Sequence, residues 1–181
     1  MSVKLSTLAI VMGAVTVAIN LYGVLKPAKF AVIARKFPRS LPLGFVLTLL
    51  ATAWFIWNVR GESLSDFETM KNFLCILFAA VGIGTCIFVH DYLAVRGAAA
   101  LLLLLAKLIV DTARWSNTDW RVIIVLWAYV MVAAGIWFTV SPWRLRDLIH
   151  WTTANDSRTK ISSGIRLSFG ALVLLLGLTV Y

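Results

Sequence analysis

The chain has 181 residues, of which 61% are hydrophobic and only 14% charged, with a formal net charge of +9. Soluble domains run at roughly half apolar and a quarter charged, so this composition excludes an ordinary soluble fold and leaves no stretch for a separate soluble domain. The positive charge alone would suit nucleic acid. The Lys and Arg residues, however, gather in short segments between apolar runs, the placement that orients a protein in a bilayer, so nucleic acid is not expected as a partner.

The first apolar run, Leu8–Leu25, follows Lys4 and meets a dense basic stretch, and reads as a retained span, not a cleaved signal. The connection 26–40 carries Lys26, Lys29, Arg35, Lys36 and Arg39. Within it, Phe30, Ile33 and Phe37 recur among the cations, which predicts a short amphipathic helix over Lys29–Phe37 resting on anionic inner-leaflet lipids. The second run is Leu41–Val59. The connection 60–72 sets Arg60 and Lys71 against Glu62, Asp66 and Glu68.

The third run, Phe73–Val89, holds Cys75 and Cys86, which lie roughly 16 Å apart along one helix face, cannot bridge each other, and read as buried structural thiols. Ala80 with Gly84, and Gly82 with Cys86, are small-xxx-small pairs that predict close helix packing. His90-Asp91 then reads as a polar turn into the fourth run, Tyr92–Val110. Stepping about 100° per residue, Arg96, Ala100, Leu103, Lys107, Asp111 and Arg114 share one face of that helix. Charge facing lipid costs at least a few kcal/mol per group, so this face is expected against other helices or a wet cavity. Lys107 is the deepest charge, and Asn20 of the first run is a candidate neighbour. The plainer alternative has Arg96 snorkelling inward, Lys107 snorkelling outward, and Lys107 pairing with Asp111 one turn on.

The connection 111–121 balances Arg114 and Arg121 against Asp111 and Asp119 before the fifth run, Val122–Val140. The connection 141–164 is basic again, with Arg144, Arg146, Arg158 and Lys160. Ser141-Pro142 suits the start of a second interfacial helix, in which Leu145, Leu148, Ile149 and Thr152 recur at helical spacing between Trp143 and Trp151. Ile165–Tyr181 is the sixth run, with Arg166 just inside it.

The expected fold is an all-α integral membrane protein, a single domain over 1–181, with six transmembrane helices in three hairpins and short amphipathic helices in the two long connections. The hairpins read as divergent repeats over 1–60, 72–114 and 121–181. Because the strongly basic connections belong on the cytoplasmic side, both termini are expected outside a cell inner (plasma) membrane.

No nucleophile motif, phosphate-cradling loop or pair of intramembrane carboxylates is found, so no catalytic residue is expected. His90 and His150, the two histidines, are candidates for holding a haem from both sides; no Cys or carboxylate cluster joins them at metal-ligand spacing, so neither a metal nor another cofactor is expected. The leading functional expectation is a non-catalytic integral subunit or accessory protein of a larger inner-membrane assembly, partnered by other membrane subunits or a second copy of itself. A small transporter or channel with a polar path along the fourth helix is the alternative. A haem-bearing electron-transfer anchor is the third.

Overall fold

A computed structural model describes residues 4–62, 70–116 and 118–181, and the described residues form helices and no strands. There are eight α-helices among them: α1 (Leu5–Leu25), α2 (Pro27–Lys36), α3 (Leu41–Gly61), α4 (Lys71–Phe88), α5 (Leu93–Arg114), α6 (Arg121–Val140), α7 (Trp143–Thr152) and α8 (Asp156–Thr179), with a 3-10 turn over Phe37–Arg39. Six of them, α1, α3, α4, α5, α6 and α8, have 18 to 24 residues and are apolar enough to cross a membrane. At 1.5 Å per residue they are roughly 27–36 Å long, a match to about 30 Å of hydrocarbon. Their outward faces carry large apolar side chains in rows; Val11, Val15 and Ile19 on α1 are each about half exposed. Water would penalise such faces, whereas lipid tails do not, so the chain has the build of a multi-pass membrane protein.

Five of the helices end within about a turn of the predicted runs. The sixth does not: α8 begins at Asp156, well ahead of the expected Ile165. Its first residues are polar and fall below any hydropathy threshold, yet they continue the helix because Thr159 and Ser163 sit on the same side as Gly170, Val173 and Gly177, and all five are buried. The stripe recurs at spacings of four, seven, three and four, a near-heptad of small residues that hydropathy does not register.

The chain forms two compact units. The first comprises Met1–Lys36, Leu105–Ala133 and Arg146–Tyr181. Its central feature is the pairing of α1 with α8, a contact between the two ends of the chain that chain-order hairpins do not include. A Cβ placed on Gly13 of α1 would lie 2.7–2.9 Å from Leu174 N, Leu174 Cα and Gly170 O, so the two backbones touch there. With tails as apolar as the helices themselves, such close backbone contact is what gives membrane helices their affinity. Trp127 of α6 packs edge-on against Phe169 of α8 with ring centroids 5.2 Å apart. Tyr181 closes the far end, its hydroxyl donating to the Trp120 carbonyl at 2.7 Å. Burial pushes its phenol above the usual tyrosine range.

The second unit comprises Phe37–Leu104 and Ala134–Leu145. Here α3 meets α5, where a Cβ on Gly97 would lie 2.8 Å from Thr48 N. Val95 and Ala99 of α5 and Phe138 of α6 form a buried cluster, with Tyr92, Leu102, Ala134 and Leu145 packed on it. Tyr92 holds the tight α4–α5 turn at φ 55°, a left-handed conformation costly for a residue with a Cβ, and its packing on the cluster offsets part of that cost. Helix α4 presents Cys75, Gly82 and Cys86 as its buried residues, and both thiols are free. Spacings of seven and four put them on one face, which meets α3 through Gly82 against Thr52 and through the edge-on pair Phe55–Phe78. The two small-residue pairs of α4 therefore part company: Gly82 and Cys86 pack within the chain, whereas Ala80 is exposed and a Cβ on Gly84 would meet none of the described residues within 4 Å.

Candidate functional site

Helix α5 carries the charges singled out in the sequence, and its apolar side is fully used in packing: Leu93, Ala94, Val95, Ala99, Ala106, Ile109 and Ala113 are all essentially inaccessible. The charged face is used in two ways: Leu103 packs on Gly135 and Arg96 is half-buried, whereas Lys107, Asp111 and Arg114 toward the end of the helix are exposed. Lys107 Nζ donates to Asp111 Oδ2 at 2.7 Å, an i,i+4 ion pair whose side chains are 43% and 58% exposed. Lys107 lies seven residues before the end of α5 at Arg114, about 10 Å along the axis. Arg114, also exposed, places its guanidinium 5.9 Å from the centre of the Trp115 ring.

Arg96, eleven residues earlier and so roughly 16 Å away along the axis, is half-buried. Its Nε and the hydroxyl of Thr48 are the two buried side-chain atoms without a hydrogen-bond partner among the described residues. Thr48 is 9% exposed and its hydroxyl lies against Gly97, the residue after Arg96. Sequence reasoning identified Arg96 but missed Thr48, which looks like any other threonine in an apolar helix.

Asn20 is buried, and its Nδ2 donates to the Thr16 carbonyl one turn back on α1, which satisfies that donor within its own helix. His90 follows the end of α4, His150 lies on α7, and each is exposed. Among the described residues no three His, Cys, Asp or Glu side chains converge as metal ligands would.

The basic segments form definite structure. In the first unit, Arg35 at the end of α2 donates from Nε to Thr153 Oγ1 at 3.0 Å and from Nη2 to the Thr153 carbonyl at 2.5 Å. Thr153 is itself buried and donates its hydroxyl to Ile149 O at 2.7 Å, so α2 is fastened to the end of α7. Of the expected stripe Phe30, Ile33 and Phe37, the first two lie on α2 and differ in burial, and Phe37 opens the 3-10 turn that follows. Phe30 turns toward Gly23 of α1, its ring 3.5 Å from where a glycine Cβ would be, whereas Val32 and Ile33 stay 54% and 60% exposed. On α7, Leu145 joins the buried cluster of the second unit, while Trp151 is exposed and holds the Arg158 guanidinium 5.7 Å from its ring centre.

Set beside known protein families, curated proteins and solved structures, the chain matches none.

Proposed function

We propose that this chain is a non-catalytic integral subunit or accessory protein of a larger inner-membrane assembly. The observation that carries the reading is the Lys107–Asp111 pair, which is built into a helix long and apolar enough to span a membrane, yet is exposed. Pairing reduces the cost of two charges near hydrocarbon but does not remove it, and a polar surface on another membrane polypeptide would lower it further. The Ala80–Gly84 strip of α4, where Ala80 is exposed and a Cβ on Gly84 has room among the described residues, supports the same reading. In this proposal the helices run as hairpins with both termini outside, and α2 and α7 lie at the cytoplasmic interface, their cations over anionic headgroups.

Gentle detergent extraction after cross-linking in the native membrane tests the reading. The expected result is a mass well above the 20.0 kDa of the chain, reduced when Lys107 and Asp111 are both replaced by Leu. A lone monomer from cross-linked membranes would refute it and leave snorkelling as the role of the pair.

The second reading, a small transporter or channel along α5, is favoured by the buried Arg96 Nε and Thr48 hydroxyl, which suit a hydrated spot. It requires Arg96→Leu or Lys107→Leu to change flux with expression intact.

A further inference from the structure

We infer that the groove where α1 turns into α2 binds one anionic phospholipid, its phosphate held at Lys29 and Lys26 and one acyl chain lying over Val32 and Ile33. The groove has a volume of about 420 Å³ and is lined by Tyr22, Ala28, Lys29, Val32 and Ile33.

Its shape follows from how the junction folds. Lys26 N–H donates to Tyr22 O at 2.9 Å and Phe30 N–H donates to Lys26 O at 3.0 Å, so the chain passes from one helix to the other at a single residue. Phe30 on the inner side and the Arg35–Thr153 bonds at the far end then fix α2 in place. Stepping 100° per residue, Lys29, Val32, Ile33 and Lys36 fall within one sector of about 100° on α2, with Phe30 just beyond its edge. That side interleaves two cations with two exposed branched apolar residues, and α2 and Lys26 bring no acid to offset them.

This pattern selects the occupant. A soluble anion would use the cations and leave Val32 and Ile33 in water; a neutral lipid would use the apolar floor and leave the cations without a counterion. An anionic phospholipid satisfies both, and Tyr22 lines the same groove. The inference rests on the proposed interfacial position of α2, but not on the assembly reading, because the site lies wholly within this chain.

The test is native mass spectrometry of the full chain in mild detergent, titrated with phosphatidylglycerol, with phosphatidylcholine and with inorganic phosphate. One phosphatidylglycerol is expected per chain, in preference to the other two. Lys29→Gln is expected to weaken it about fivefold, the factor one cation beside an anionic surface is worth. Ile33→Asn should weaken it as well, whereas Lys160→Gln, an exposed cation on α8, should leave it unchanged. Equal losses from Lys29→Gln and Lys160→Gln would overturn the site in favour of diffuse charge, and phosphate binding as tight as lipid would overturn the acyl-chain contact. Lack of any lipid preference, with a dimer that Ile33→Asn disrupts, would assign the groove to a second copy instead. A nitroxide on Lys36→Cys reports the depth of α2 separately: an interfacial α2 with no bound lipid refutes the site alone, whereas an α2 away from the interface refutes its premise too.

Discussion

Replacing Gly13 by Ala is expected to destabilise the first unit by about 1–2 kcal/mol, although alanine is the better helix former. The added Cβ would fall 2.7 Å from Leu174 N, 2.8 Å from Leu174 Cα and 2.9 Å from Gly170 O. All three are backbone atoms, so no side chain can rotate aside, and α1 and α8 must separate by roughly half an ångström or more to restore ordinary contact. A gap of about 0.5–1 Å forfeits a quarter to a half of each dispersion well along the contact, and overpacking of this kind costs about 1–3 kcal/mol. The intrinsic gain of Ala over Gly in a helix returns at most about 1 kcal/mol. Gly84→Ala is the matched control, because its Cβ meets none of the described residues within 4 Å and only the propensity gain remains. Unfolding in mixed micelles with rising SDS, followed by circular dichroism, should rank Gly84→Ala at or above the parent and Gly13→Ala below both. Parent-like stability of Gly13→Ala would refute the backbone contact between α1 and α8.

Single cysteines at Ser40 and Ser157 should resist a membrane-impermeant maleimide in intact cells, whereas one at Thr118 should react; reversal of that order would invert the orientation. The parallel outer-side position, Ser65, lies outside the described residues. The native Cys75 and Cys86, 5% and 4% exposed, should stay silent until the protein unfolds. Tyr181→Phe should lower thermal stability modestly at neutral pH, since it removes the bond to Trp120. The bond needs the protonated phenol, whose value in the folded chain is raised by burial. The parent's advantage is therefore full below the ordinary tyrosine value near 10 and is lost as pH rises through the raised one. Melting curves of parent and variant that differ equally at all pH values would contradict this assignment.

The sequence by itself determined the class of this protein and most of its element boundaries. Length and apolarity of a run are local properties, and a helix that must satisfy every backbone group in hydrocarbon has little freedom over where it starts and stops. The Lys107–Asp111 pair was equally legible, because i,i+4 spacing brings the two groups together on any helix. The extension of α8 back to Asp156 was not, since Thr159 and Ser163 gain their burial from the fold and not from their hydropathy. Nor could the sequence say that Phe30 turns inward while Ile33 stays out, that Arg35 fastens α2 to Thr153, or that Gly82 is packed and Gly84 open. Periodicity fixes which residues share a helix face. Which face meets another helix depends on partners far away in the chain, as α1 and α8 show, and only the tertiary structure decides that.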